Sequence, residues 1–179
     1  MDIEKLKYPI GKYKPGEIKI EMINDWIEEL RTFPERLAEV LEGIDKENLM
    51  YTYRPEGWNI RQLVHHLADS HMNSIIRFKL ALTEDNPTIK PYLEAEWATM
   101  HDVKEVPIEA SINILKGVHA RLASMLSYLE VLEFARIYTH PEHGKTIDLA
   151  TTVGMYAWHG NHHLAHIEQA LKFEKAYWN

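Results

Sequence analysis

The sequence predicts an all-α protein: a four-helix bundle with a short β-hairpin or extended loop before the last helix. Four stretches of about 20–25 residues place apolar side chains at helical spacing, the pattern of amphipathic helices that share one core. Residues 134–148 break that pattern, because Ile137 and Tyr138 precede a Pro-Glu-His-Gly turn. No internal repeat or linker divides the chain, so we expect residues 1–179 to form a single domain that includes an irregular N-terminal arm, 1–16.

The first helix is predicted from about Lys19 to Ile44, where apolar residues recur every three to four positions. Pro34 lies inside this pattern. Proline has no backbone N–H, and its ring clashes with the preceding helical turn. We therefore expect a kink or a break at Pro34.

The second helix has a sequence signature at its start. Asn59 is a favourable N-cap, and Gln62, three residues later, completes a capping box. This helix is predicted to run to about Thr83. Residues 87–106 then form a long connection, the kind of segment that often lines a pocket.

The third helix is predicted to start near Pro107. Proline is favoured at the first position of a helix, and Pro107 is a plausible residue for that position. After the hairpin segment, Asp148 can cap the fourth helix, which is predicted to run to about Phe173.

The composition is that of an ordinary globular protein. Apolar residues make up 45% of the chain and charged residues 26%, and the formal net charge is −7. A negative balance disfavours a nucleic-acid-binding protein. No apolar run has the length of a membrane span, and the polar N-terminus lacks the apolar region of a signal peptide. We therefore expect a cytoplasmic protein that contacts neither membrane nor nucleic acid.

Histidines are concentrated in two of the predicted helices. Residues 65–71 of the second helix and 159–166 of the fourth hold seven of the eleven histidines. The chain contains no cysteine, so any metal must be held by imidazole and oxygen ligands. These clusters predict a metal site between two facing helices of the bundle.

In the fourth helix, two ligands of one ion must be three or four residues apart, because seven residues span about 10 Å. The possible pairs are 159/162, 163/166, 159/163 and 162/166. The pair nearest the apolar stripe is His159 and His163, whereas His166 lies further out and His162 is furthest toward solvent.

In the second helix, periodicity favours His71 as the histidine that faces the core. His71 falls in the middle of the apolar stripe, and His65 and His66 lie on its opposite flanks. His66 shares a polar lane with Asp69. The spacing leaves open which histidine is a ligand, because an inward histidine is more often a hydrogen-bonded core residue and an outward one is often plain surface.

At these residues the chain resembles the DinB/YfiT-like metalloenzyme superfamily, in particular its YfiT branch. The resemblance is carried by Tyr8–Pro15, Gly57–Gln62, His65–Asn73, Arg77–Leu80 and Trp158–His166. It implies a four-helix bundle, one divalent metal per subunit held by three histidines and water, and a homodimer. The implied ligands are His66, His159 and His163. For the second helix, this assignment overrules the periodicity, which favoured His71.

Three neutral imidazoles leave a metal open to water, the pattern of a catalytic site rather than a structural one. Zn²⁺ is the expected ion and Ni²⁺ the alternative. The first hypothesis is a metal-dependent hydrolase in which the metal activates a bound water against a small-molecule substrate. The second is a thiol S-transferase that uses a low-molecular-weight thiol, and the third is a non-catalytic binding module stabilised by metal. Asp69 is a candidate general base or an orienting partner of His66.

Overall fold

The computed structural model describes residues 2–142 and 144–175, so Met1, His143 and residues 176–179 lie outside the described part. Within that part the chain forms seven α-helices and one antiparallel β-hairpin. The helices are α1 (Ile3–Lys7), α2 (Ile20–Val40), α3 (Ile60–Thr83), α4 (Glu94–Trp97), α5 (His101–Glu105), α6 (Ile108–Ser127) and α7 (Leu149–Phe173). The strands are β1 (Ile137–His140) and β2 (Lys145–Asp148), and short 3₁₀ turns occupy Asn48–Met50 and Val131–Ala135.

The four long helices, α2, α3, α6 and α7, form the bundle. Helices α2 and α3 each pack against both α6 and α7. Consecutive long helices α2 and α3 therefore lie at opposite corners, and so do α6 and α7. The prediction of a four-helix bundle with a hairpin before the last helix is confirmed. In this arrangement α3 and α7, which carry the two histidine clusters, face each other directly.

The predicted ends of the long helices are largely confirmed, except that α2 ends at Val40 and not near Ile44. The Asn59 side chain accepts from the Gln62 backbone at 2.9 Å, and the Gln62 side chain accepts from the Asn59 backbone at 3.1 Å. Helix α3 ends at Thr83, as predicted. Asp148 caps α7 by accepting from the Thr151 backbone at 2.6 Å. Pro107 is the N-cap of α6 rather than its first helical residue, a difference of one position.

Two connecting segments contain more helix than expected. The arm, predicted as irregular, includes α1, whose N-cap Asp2 accepts from the Glu4 backbone at 3.1 Å. The connection 87–106 contains α4 and α5. All three are helices of four or five residues, too short to show a periodic pattern in the sequence.

A kink or a break was predicted at Pro34, and the structure shows no break, because helix α2 continues through this residue. Proline cannot donate to the carbonyl of Leu30, four residues earlier. That carbonyl instead accepts a hydrogen bond from Nδ1 of His119 on α6. The side chain of a neighbouring helix thus supplies a donor that the backbone of α2 lacks.

The core consists of two apolar clusters. The Ile27 cluster is formed mainly by the first half of α2, the second halves of α3 and α6, and the first half of α7. The Leu63 cluster is formed by the complementary halves of the same helices. Five histidines on α3, α6 and α7 lie next to these clusters. We call them the histidine layer: His66, His71, His119, His159 and His163. His119, for example, lies between Leu115 of the Leu63 cluster and Leu122 of the Ile27 cluster.

No helix in residues 2–142 and 144–175 combines the length and apolar character needed to span a bilayer.

Candidate metal centre

Three histidines converge where α3 faces α7. His66 comes from α3, and His159 and His163 come from successive turns of α7. Each offers one ring nitrogen, and the three nitrogens all lie within 4.8 Å of one another. The Nε2 atoms of His66 and His159 are 3.2 Å apart. The structure therefore brings together the three histidines that the family resemblance implied as ligands. We call these three residues the triad.

The triad fits a metal ion by its spacing and its chemistry. Two nitrogens that each lie about 2.0–2.1 Å from a tetrahedral ion are about 3.3–3.4 Å apart, close to the separation of the His66 and His159 nitrogens. Imidazole nitrogens suit zinc, nickel and other transition metals. Within the described residues the group contains no carboxylate, so three neutral donors are what it offers.

Removal from water keeps the triad uncharged near neutral pH. Burial lowers the pKa of His66 to about 4. It also places the pKa values of His159 and His163 well below their usual range, and the neighbouring imidazoles lower them further. A neutral imidazole has one unprotonated nitrogen. The triad can therefore present lone pairs at neutral pH without first losing protons.

His71, which the periodicity of α3 selected as the inward histidine, is fully buried but lies outside the triad. Its Nε2 lies 3.3 Å from Nδ1 of His159, and its Nδ1 lies 2.9 Å from Nε2 of His119. The Phe33 ring stacks against both His71 and His119, with centroids 5.8 and 5.4 Å away. His71 thus connects a candidate ligand to the interior of the bundle.

Sequence reasoning did not single out His119, which is fully buried. A signal was available, because His119 follows Leu115 by four residues and precedes Leu122 by three in the apolar stripe of α6. Burial lowers its pKa to about 4.

The positions predicted for His162 and His166 were wrong, since both are buried, with 6% and 2% of their surface exposed. The N-terminal arm covers this face of α7. Tyr8 stacks on His162 with ring centroids 5.8 Å apart, and Nε2 of His166 lies 3.1 Å from the Lys7 carbonyl. Nδ1 of His166 also lies 3.4 Å from Nδ1 of His163. A pattern read along α7 alone contains no information about the arm.

A cavity of about 360 Å³ opens beside the triad and reaches His163. The Trp58 ring, which lines this cavity, packs on His66 with centroids 4.8 Å apart. The other lining residues are Lys7, Tyr8, Tyr53, Arg54, Glu56, His162 and His166. Aromatic rings and both signs of charge therefore surround the approach to the triad.

Asp69 lies on α3, one turn beyond His66, and is partly buried. Burial, with a smaller contribution from Asp102, raises the pKa of its carboxyl to about 6. In the described part of the chain no hydrogen bond joins this carboxyl to the triad.

Comparison with known proteins identifies a family. The sequence profile of the DinB superfamily matches residues 29–167. The chain belongs to the DinB superfamily. Two relatives described as candidate metal-dependent hydrolases are each 47% identical to it. The one from Bacillus mycoides aligns over 92% of this chain and 95% of its own length, and the one from Oceanobacillus iheyensis over 93% and 96%.

Two solved structures share the fold. YfiT from Bacillus subtilis, described as a probable metal-dependent hydrolase with an unusual four-helix bundle topology, has a TM-score of 0.92 and 42% identity. It covers 94% of this chain and 97% of its own. A mycothiol-dependent maleylpyruvate isomerase has a TM-score of 0.64 at 17% identity, covers 81% of this chain and 60% of its own, and shares the fold alone. The predicted resemblance to the DinB/YfiT-like superfamily is confirmed.

Proposed function

We propose that this protein is a metal-dependent hydrolase in which His66, His159 and His163 hold one divalent ion, Zn²⁺ or Ni²⁺. The observation that carries the proposal is the convergence of three neutral imidazoles, with no fourth histidine and no carboxylate in the group among the described residues. Three protein ligands leave a coordination position free, which is the mark of a catalytic site. The names of the relatives agree in kind with this chemistry.

A divalent ion at such a site supplies Lewis acidity and makes water nucleophilic at neutral pH. The protein's own residues contribute the rest. The triad presents uncharged nitrogens from two packed helices, so its geometry is fixed by the bundle. Trp58 covers His66 and lines the cavity through which a substrate can reach the triad. The cavity's volume of about 360 Å³ suits a small molecule.

Asp69 is our candidate for the general base. A carboxylate whose pKa is raised to about 6 can accept and release a proton near neutral pH. Because no hydrogen bond joins it to the triad, it would act on a substrate or a water molecule lying between them. A single domain and a cytoplasmic location stay predictions from the sequence, and a homodimer stays an implication of the family resemblance.

The first test is the metal content of untagged protein, measured by mass spectrometry after reloading with zinc or nickel. We expect about one ion per chain in the wild type, and loss of the ion in His66→Ala. His101→Ala is the matched control, because His101 is an exposed histidine at the start of α5. Wild-type protein that binds no metal, or a His66→Ala variant that keeps it, would remove the proposal.

The second test separates three hypotheses: a hydrolase, an S-transferase and a non-catalytic binding module. A hydrolase cleaves ester, amide or related substrates with water alone, whereas an S-transferase turns over only when a thiol and an electrophile are both present. Turnover that requires added thiol would replace hydrolysis by thiol transfer. If chelation of the metal unfolds the protein and no substrate is turned over, the metal is structural and the protein is a binding module.

A further inference from the structure

Pro34 creates an unusual acceptor inside the bundle. It has no N–H to offer to the Leu30 carbonyl, so the helix leaves that oxygen without its ordinary backbone donor. Nδ1 of the fully buried His119 donates to this oxygen. A carbonyl oxygen only accepts hydrogen bonds, so the proton in this contact belongs to the imidazole.

This fixed point determines the tautomers of the next two imidazoles. In a neutral histidine that carries its proton on Nδ1, Nε2 is an acceptor. Nε2 of His119 therefore accepts from Nδ1 of His71 at 2.9 Å. By the same rule, Nε2 of His71 accepts from Nδ1 of His159 at 3.3 Å. The Nε2 of His159 is left unprotonated, and it is this atom that lies 3.2 Å from Nε2 of His66.

A second, shorter relay reaches the other histidine of the triad on α7. Nε2 of His166 donates to the Lys7 carbonyl at 3.1 Å, so its Nδ1 is an acceptor. That atom accepts from Nδ1 of His163 at 3.4 Å. The Nε2 of His163 is consequently unprotonated as well. The two triad histidines on α7, His159 and His163, thus donate through Nδ1 and keep Nε2 free for a ligand.

We propose that two histidine relays, each ending on a backbone carbonyl, preset the tautomers of His159 and His163 for metal binding. His71 and His119 form one relay and His166 forms the other. These three are positioning residues, because they act on the metal through the two ligands that they hold. The assignment of those ligands rests on the proposed function. Outer partners of this kind orient ligand imidazoles and fix which nitrogen faces the metal.

The relays make a prediction about the protein before any metal is added. In metal-free protein with ¹⁵N-labelled histidine, long-range ¹H–¹⁵N correlation spectra distinguish the two neutral tautomers. We expect protonated Nδ1 in His71, His119, His159 and His163, and protonated Nε2 in His166. A His159 or His163 protonated on Nε2 would overturn the proposal. This measurement needs no activity and no metal, so it can support the relays even if the proposed function fails.

Substitution of His119 tests the longer relay at a distance from the metal. His119→Phe keeps a flat ring but removes the acceptor for His71. We expect metal affinity, measured by competition with a chromophoric chelator, to fall by about 10- to 100-fold. His119→Gln carries an amide that can still accept from His71, and it should recover part of that affinity.

The matched control is His65→Phe. His65 is a buried histidine of α3 that contacts Ser111 at 2.8 Å and belongs to neither relay. It should change stability but leave metal affinity at the wild-type value. Equal losses in His65→Phe and His119→Phe, or wild-type affinity in a folded His119→Phe, would overturn the proposal. If His119→Phe does not fold, the glutamine variant and the spectra of the wild type decide.

Discussion

The two apolar clusters are built from all four long helices and the histidine layer from three of them, α3, α6 and α7, but clusters and layer are held together by different forces. The clusters gain free energy from burial of apolar area, which has no preferred direction and tolerates substitutions that conserve volume. In the histidine layer, three contacts link His66, His159, His71 and His119 through ring nitrogens 2.9–3.3 Å apart, and these contacts depend on which atom holds the proton. The apolar clusters therefore provide most of the stability, whereas the histidine layer provides the chemistry.

Removal of a triad ligand should have the largest effect on chemistry and little effect on the clusters. His163→Ala deletes one of three donors, and we expect metal binding to weaken by about a thousandfold or more, on the order of 4 kcal/mol. Chelator competition measures this loss. The melting temperature of the metal-free variant should stay close to that of the metal-free wild type. A variant that is unfolded without metal would show that the layer also carries the fold.

Removal of a core ring should do the opposite. Phe78 is fully buried in the Ile27 cluster, and Phe78→Ala should lower the free energy of unfolding by about 3–5 kcal/mol. Denaturant unfolding of metal-free protein measures this change, with Phe78→Leu as a milder control. The folded fraction should still bind about one ion per chain. A loss of affinity in that fraction would mean that cluster and layer are not separable.

Acid should act on the layer and leave the clusters unaffected. Burial lowers the pKa of His66 and of His119 to about 4, below the unfolded value of 6.5. The folded state thus favours the neutral rings. Their contribution to stability is present above pH 6.5 and is lost as the pH falls toward 4. We expect the melting temperature of metal-free protein to fall across this range.

A matched variant identifies the source of that pH dependence. His66→Phe removes one ring that must take up a proton on unfolding, so its melting temperature should fall less steeply between pH 6.5 and pH 4. Substitution of the exposed His101 by alanine should leave the slope unchanged. A wild-type melting temperature that stays constant between pH 6.5 and pH 4 would contradict the assignment of acid sensitivity to the buried histidines.

The helices and the apolar stripes that form the two clusters could be predicted from the sequence, because they depend on local signals. The capping box of Asn59 and Gln62 and the cap at Asp148 are each written in four consecutive residues, and the helices begin where those signals predict. The stripes of α2, α3, α6 and α7 give the bundle in the same way. The hairpin follows from a short break in helical spacing.

The histidine layer could be read only in part. Periodicity describes one helix at a time, and it distinguished His71 from His66 although both are buried, since α3 is covered by α6, α7 and α5. The resemblance to a family supplied what periodicity left open. The contact between His119 and the Leu30 carbonyl joins residues 89 positions apart, and the sequence contains no local signal for that contact. Pro34 predicted an irregularity in α2, but it did not predict that His119 would supply the missing donor.

The smallest effect on the fold is expected at a charge outside the layer. Asp69 has a pKa raised to about 6, above its ordinary value, because burial and Asp102 disfavour the ionised form. A raised carboxyl pKa means that stability is fullest below the ordinary value of 3.8 and declines as the pH rises through 6. Asp69→Asn removes that cost, so the melting temperature should rise by about 1–2 °C at pH 7.5 and not at pH 4.

The same variant separates a chemical role for Asp69 from a structural one. A general base contributes about 100-fold or more to turnover, so Asp69→Asn should lose activity while it gains stability and keeps its metal. Glu109→Gln, at an exposed carboxylate in the first turn of α6, controls for a change of charge alone. Stability that falls in Asp69→Asn would mean that the carboxylate holds the fold through a contact that matters more than its burial. Turnover that is unchanged would leave the triad and the cavity as the whole of the candidate site.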